Sequence, residues 1–489
     1  MNAAPRPSLT RGAMLTVTMR WTDRLIGFVS LLILARLLNP DDIGLVAMAT
    51  LVIALTDVFF DLGVNIALIQ RRDATQADYN TAWTLRQLQC VLAAGVIVAS
   101  APWAADYFAE PRVATILPWL ALATFVSGLE NIGIVTFQKD MQFGAELRYL
   151  LTKRLFGFCL TVGLAVLLQS YWALVFGTLG GRLFGTVLSY LVHPMRPRWS
   201  MARFAAIFSV SQWMVLRSIG EFLHMNLHRL LVGRWSDSGT MGAYTMANEI
   251  STLPSAELVA PMNRAVFPAM AQAQDDPSEL KRLYLNALAI QTVLALPAAV
   301  GLACVAPEAV AVVLGDKWRD TAPLLQLLAL GSIGHILTST GHYLLLATQR
   351  VKLAVATVWM QVGLFLLGLM LVGLDGGAMG VAMARVLGSV LGVFGVFALV
   401  LRLYAALSIA EVAGSIARPV VSASVMAIVL STLPAWTPEA SLLLLSKIGI
   451  GVAAYGASVL ALWQLLGRPD GAEALLLKKI RMLRVRNDV

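Results

Sequence analysis

The stretch ARLLNPDDIGLVAMA, Ala35–Ala49, returns in altered form as GRWSDSGTMGAYTMA, Gly233–Ala247. At a constant offset of 198 residues, Arg36, Gly44, Met48 and Ala49 fall on Arg234, Gly242, Met246 and Ala247. The same offset carries Asn65 and Ala67 onto Asn263 and Ala265, and Asp23 onto Glu221. A second echo, at an offset of 203, sets Gly177, Arg182, Gly185, Val187 and Leu188 against Gly380, Arg385, Gly388, Val390 and Leu391. Single coincidences are common in an apolar chain, but several at nearly one offset point to duplication. In membrane proteins built from two repeats, the binding site usually lies where the repeats meet.

The duplication sits in a chain of 489 residues that is 58% hydrophobic and 13% charged. Soluble domains average about 25% charged residues, so the composition excludes an ordinary soluble protein. A helix needs about 20 apolar residues to cross the hydrocarbon core. On that measure the sequence predicts fourteen spans, near 13–38, 43–68, 80–106, 114–137, 146–168, 171–193, 204–233, 241–268, 283–314, 322–347, 351–374, 377–404, 412–433 and 441–466. The expected fold is an all-α integral membrane protein. An N-lobe (1–200, six spans) and a C-lobe (201–406, six spans) surround a central cavity. Two additional helices (407–467) and a basic tail (468–489) follow. Six spans return the chain to its starting side, so the lobes should be related by a pseudo-two-fold along the membrane normal. Cys90, Cys159 and Cys304 are scattered over three spans; they read as small apolar core residues and not as a disulfide framework or metal site.

The net charge of +9 is distributed by side. Arg71–Arg72, Lys139, Arg196, Arg198, Arg203, Lys281–Arg282, Arg350, Lys352, Arg402 and the C-terminal tail are basic, while the intervening loops, NPDD (39–42) and SDSG (236–239) among them, are not; DKWR (316–319) is the exception. This positive-inside pattern places both termini in the cytoplasm. The tail, with apolar residues among its cations, suits an anionic lipid surface and not a nucleic acid.

Charges inside the spans cost about 2.5–3.5 kcal/mol each at bilayer depth on insertion scales, so they usually face a cavity or a partner. The first span holds Arg20, Asp23 and Arg24, with Arg24 near the midplane. The seventh, its repeat counterpart, carries Arg217, Glu221, His224 and His228 as one stripe. Arg20, Arg24, Arg217 and Arg86 are candidate cavity cations for an anionic ligand, since guanidinium binds phosphate bidentately and stays charged. Asp23, Asp57, Asp61, Glu221, His224 and His228 are candidate charge-balancing or coupling groups. The competing reading makes Arg20–Asp23–Arg24 and Arg217–Glu221 satisfied pairs that hold helices together, leaves Arg86 snorkelling and lets Asp61 cap a break at Gly63. Glu130 reads as an ordinary hydrogen-bonded position. Asp41–Asp42 and Asp275–Asp276 read as helix caps or turn residues, Arg182 and Arg385 as equivalent packing positions, and the small-residue run 380–395 as a site of close helix packing.

No GxxxxGK[ST] loop, HExxH, CxxC or GxSxG motif occurs, so ATP hydrolysis, a metalloenzyme site and a serine nucleophile elbow are not expected. No metal and no cofactor is called for.

Arg36–Ala49, then Asp61–Leu62–Gly63 and Ala67–Arg72, with Tyr244 and Val266–Phe267–Pro268–Ala269–Met270 in the second half, give the chain a resemblance to Wzx-type polysaccharide flippases. These form the colanic-acid-exporter-like branch of the multidrug/oligosaccharidyl-lipid/polysaccharide exporter superfamily. The likeness covers roughly 15–400. It implies fourteen helices in two lobes around a V-shaped cavity. It also implies translocation of undecaprenyl-(pyro)phosphate-linked oligosaccharide across the bacterial inner membrane by alternating access, coupled to protons or sodium. Membrane lipids and the polysaccharide polymerase and export machinery are the implied partners, and no nucleic acid is. Two alternatives remain open at this stage, a cation-coupled multidrug exporter of the same superfamily and a non-transporting scaffold of a polysaccharide synthesis complex.

Overall fold

The computed structural model describes residues 9–60, 64, 68, 69, 71, 73–204, 212–373, 376–434, 437 and 439–467, with backbone alone for 9–17 and 212–217. Among the described residues every regular element is helical. The chain forms two compact units, Met1–Gly242 and Ala243–Val489.

The first unit contains α1 (Leu9–Leu37), α2 (Pro40–Phe60), α3 (Gln76–Phe108), α4 (Arg112–Gly128), the short α5 (Val135–Lys139), α6 (Phe143–Leu168), α7 (Trp172–Val192) and α8 (Gln212–Trp235). Its helices start where the sequence chemistry asks. Pro40 opens α2, where its missing N–H is no loss, and Asp41 and Asp42 occupy the positive end of the helix dipole. Thr75 and Asp78 form a capping box on α3. Within this unit α3 packs on α4, α6 on α7 and α1, and α8 on α2 and α3. Tyr107 at the end of α3 donates to the Leu230 carbonyl (3.4 Å), and Arg234 lies over the Tyr107 ring, fixing the end of α8.

The second unit contains α9 (Ser238–Ser251, which begins in the first unit), a π-helical turn (Ser255–Val259), α10 (Ala260–Gln272), α11 (Pro277–Cys304), α12 (Ala306–Val313), α13 (Thr321–Ala347), α14 (Val351–Val372), α15 (Gly377–Leu403), α16 (Ile409–Thr432) and α17 (Ala440–Leu465). Asp276 caps α11 by accepting from the backbone N–H groups of Ser278 and Glu279, and Ser408 with Glu411 caps α16. The small residues of α15 allow the close packing expected of them. A methyl at Gly388 would press on the backbone of Phe365, and one at Gly368 on the carbonyl of Ala384. The buried core gathers around Tyr284, Leu288, Leu344 and Val400. The basic exception at 316–319 is matched locally, since Arg319 pairs with Asp316 at 2.9 Å.

Among the described residues, counting α4 with α5 as one bent segment and α9 with α10 as another, and leaving aside the short α12, the helices lie along the fourteen expected stretches. Ten are long and apolar enough to cross a membrane, and α4 with the 3-10 turn and α5 makes an eleventh, bent by 61°. The remainder have physical causes. Arg20, Asp23 and Arg24 interrupt α1; Arg217, Glu221 and Arg229 interrupt α8; and the π-turn after Pro254 divides α9 from α10. One expectation fails: the three cysteines are free as expected, but Cys159 is exposed and does not belong to the core. A lipid-facing position is as apolar as an interior one, so the sequence does not separate them.

Candidate functional site

The bend in the fourth span organises the charged interior of the first unit. Breaking a helix at membrane depth frees backbone carbonyls, which must be met by neighbours. Three are: Gln87 donates to the Gly128 carbonyl, Arg86 Nη2 to that of Ser127 at 3.2 Å, and Thr186 Oγ1 to that of Val126 at 2.9 Å. Glu130 sits at the bend and is nearly buried. It accepts from Arg86 Nη2 at 2.8 Å, from Lys153 Nζ at 2.6 Å and from the Tyr149 hydroxyl. One carboxylate thus holds two cations on separate helices, α3 and α6. Lys153 lies about 15 Å along α6 from Phe143, at 1.5 Å per residue, about half of the ~30 Å hydrocarbon thickness.

The belt continues from Lys153 to its neighbour. Arg154 Nε pairs with Asp23 of α1 at 3.1 Å, and Arg20 and Arg24 on α1 are exposed. Arg182 of α7 donates to Thr124 Oγ1 at 3.2 Å and lies within electrostatic reach of Asp57 and Glu130. Six cations (Arg20, Arg24, Arg86, Lys153, Arg154, Arg182) thus share the span interior with three acids, Asp23, Asp57 and Glu130. A net positive surface at this depth is what an anionic group needs to enter a low-dielectric region.

Of the sequence-predicted residues, Arg86 and Asp23 are ion-paired within this belt, while Arg20, Arg24 and Asp57 are exposed on α1 and α2. On α8, Glu221 is exposed, His224 half-buried and His228 buried. Asp61 and the side chain of Arg217 lie outside the described residues. Sequence reasoning missed Lys153, Arg154 and Tyr149, although the doublet in YLLTKRLFGF, two cations inside an apolar run, was a legible signal. Arg385, the repeat partner of Arg182, donates to Asn248 Oδ1 at 2.6 Å, so both arginines grip an uncharged acceptor on a neighbouring helix.

A second feature lies at the opposite end of α2, in the duplicated segments themselves. A methyl at Gly44 would run into the Ser238 carbonyl and the Gly242 N–H, and one at Gly242 into the Pro40 carbonyl. The two glycines, matched in the sequence echo, therefore cross at backbone contact within the first unit. A polar latch surrounds the crossing. Arg112 grips Glu110 (2.8 and 2.7 Å) and Asp41 (2.8 and 3.1 Å) with both faces of its guanidinium and reaches Ser238 Oγ at 3.2 Å; Ser238 also donates to Asp41. Asp42 accepts from the Tyr171 N–H at 2.9 Å. The Asp41–Asp42 pair acts as the expected local turn, Asp42 accepting from the Asn39 N–H at 3.2 Å, and in addition ties the start of α2 to neighbouring loops. The Glu110 carboxyl is held below its ordinary range by the hydrogen bonds from Arg112.

Comparison with known proteins identifies the family and the fold. Residues 33–323 match the model of a family described as polysaccharide biosynthesis protein. The lipopolysaccharide biosynthesis protein WzxC of Escherichia coli (strain K12) is 27% identical over 374 residues, 74% of each chain. The succinoglycan biosynthesis transport protein ExoT of Rhizobium meliloti (strain 1021) is 25% identical over 306 residues, 62% of each chain. Among solved structures, the lipid II flippase MurJ in an inward closed conformation superposes with a TM-score of 0.74 at 13% identity, covering 93% of this chain and 99% of that one. The last likeness carries the fold.

Proposed function

The chain belongs to the polysaccharide biosynthesis protein family, and from that premise we propose that it is a flippase. Its substrate is an undecaprenyl-(pyro)phosphate-linked oligosaccharide, carried across the bacterial inner membrane for exopolysaccharide or lipopolysaccharide assembly. The observation that carries this reading is the cationic belt at mid-span. Arg24, Arg86, Lys153 and Arg154 offer guanidinium and ammonium donors to a phosphate headgroup, and Glu130 and Asp23 hold those donors in place when no phosphate is near. Arg217, Glu221, His224 and His228 are the repeat counterparts that complete the site, and Asp57 and Asp61 balance its charge. No covalent chemistry is required of the protein, and both termini lie in the cytoplasm. The polysaccharide polymerase and export machinery take the product.

Alternating access follows from the glycine crossing. With Gly44 against Gly242 and Arg112 closing the latch, one end is sealed; parting of the two segments opens it. A surplus of cations argues against a cationic drug as substrate, because like charges at this depth repel it without solvent screening.

The test is export of surface polysaccharide by cells in which Arg24→Ala or Lys153→Ala replaces the native protein at equal membrane abundance. Export should fall at least tenfold in each, with Arg24→Lys retaining part of it. Wild-type export from both alanine variants would remove the belt from the transport path. Changed drug susceptibility with intact export would point to the multidrug alternative.

A further inference from the structure

At the basic end of the second unit, the turn before α11 meets the α13–α14 and α15–α16 turns around a cavity of about 410 Å3. Sites for small ligands commonly measure about 300–1,000 Å3. The belt described above involves none of its lining residues. Three observations give the cavity a chemistry.

Tyr284 lines it and is fully buried, and its hydroxyl has no hydrogen-bond partner. A buried donor left unmet is costly, and Phe would fill the same space without that penalty. Arg350, also in the wall, lies with its guanidinium 5.0 Å from the centre of the Tyr404 ring. The Tyr404 hydroxyl is itself held by Thr348 at 2.5 Å, so the stack is fixed and the guanidinium plane with it. Arg350 makes no ion pair among the described residues, whereas Lys281 on the same wall is matched by Glu411 at 2.5 Å. Arg350 is also the N-cap residue of the 22-residue α14, so the positive end of that helix adds to its field. Asp275 is the opposing charge on the rim.

We infer that this cavity binds a phosphate-bearing ligand, with two phosphate oxygens on the Arg350 guanidinium and a third accepting from the Tyr284 hydroxyl. Two sources share that chemistry, an anionic lipid headgroup and a soluble phosphate.

The experiment follows thermal unfolding of the purified full chain in dodecyl maltoside. It is titrated with phosphatidylglycerol, with inorganic phosphate, and with monogalactosyl diacylglycerol, a lipid without phosphate. Saturable stabilisation by phosphatidylglycerol alone assigns a lipid headgroup, and stabilisation by inorganic phosphate as well assigns a site that accepts soluble phosphate. In either case Arg350→Ala and Tyr284→Phe should each raise the half-saturating concentration about fivefold or more. Tyr284→Phe removes one oxygen and keeps the packing, so it stays informative even if Arg350→Ala fails to fold. The inference is overturned if neither phosphate probe stabilises the wild type saturably, if the glycolipid does so equally, or if Tyr284→Phe titrates like the wild type.

Discussion

Replacing Gly44 by alanine tests whether the duplicated segments form a gate or a fixed joint. The added methyl meets backbone on the other side, the Ser238 carbonyl and the Gly242 N–H, and no flexible side chain is there to move aside. Overpacking of this kind costs about 1–3 kcal/mol. If the crossing exists only in one state of a two-state cycle, the whole cost falls on that state. With 1.4 kcal/mol per factor of ten, the closed-to-open ratio drops about 5- to 150-fold. Met48, one turn along α2 and fully buried, reports the change. With Met48→Cys in a background free of Cys90, Cys159 and Cys304, a membrane-impermeant maleimide applied from outside should react at least fivefold faster once Gly44→Ala is added. Gly242→Ala, which strikes the Pro40 carbonyl, should act alike. The double variant should fall short of the sum, because both methyls relieve themselves by the same separation. Labelling that stays at the wild-type rate while the unfolding temperature falls would make the crossing a static packing contact and refute the gate.

Glu130 offers a different perturbation. Glu130→Ala leaves both Arg86 and Lys153 without their carboxylate, so thermal unfolding should show a loss of about 3–5 kcal/mol, the usual cost of breaking a buried pair from one side. Arg86→Ala, which leaves Lys153 in place on Glu130, should cost clearly less, and equal losses would contradict the shared-acid arrangement. The latch should be acid-labile. Because the folded state holds Glu110 below its ordinary value of 4.5, its contribution is complete above that pH and disappears as pH falls through the lower folded value. Unfolding temperatures between pH 6 and pH 3 should therefore drop more for the wild type than for Glu110→Gln, and parallel curves would show that Glu110 contributes nothing.

What could be read in advance follows the range of the interactions. Most of the spans were legible because ten of them are runs of apolar residues of membrane length among the described residues, a property confined to the run itself. Asp276 was legible as a cap because the N–H groups its carboxylate accepts from lie only two and three residues away. The similar doublet at Asp41–Asp42 was legible in the same way as a local turn, with Asp42 accepting from the Asn39 N–H, but not as a latch. The latch partner of Asp41, Arg112, is 71 residues distant, beyond the reach of any local pattern. The bend at Gly128–Asn131 was hidden for the same reason: Glu130 and Asn131 interrupt the apolar run only briefly, and the carbonyls at the bend are met by Arg86, Gln87 and Thr186 from other helices. Of the candidate site residues, Asp23 and Arg86 came with long-range partners, Arg154 and Glu130, that no helical spacing announces.

The helices that fall short as apolar spans carry the functional argument furthest. By the sequence offset α1 and α8 correspond, and both are interrupted by charge at matching positions, Asp23 and Glu221. Three charges on α1 cost on the order of 8–10 kcal/mol by insertion scales, and the ion pair from Asp23 to Arg154, itself half-exposed, offsets only a small part of that. Leucine at those positions would give a more stable span and would fit the same fold. A cost placed twice, at symmetry-related positions, on helices that otherwise need only be greasy is not explained by folding. Transport of a group that must itself be charged at mid-membrane explains it, because the substrate's phosphate, on pairing with these cations, relieves part of the penalty they carry at that depth.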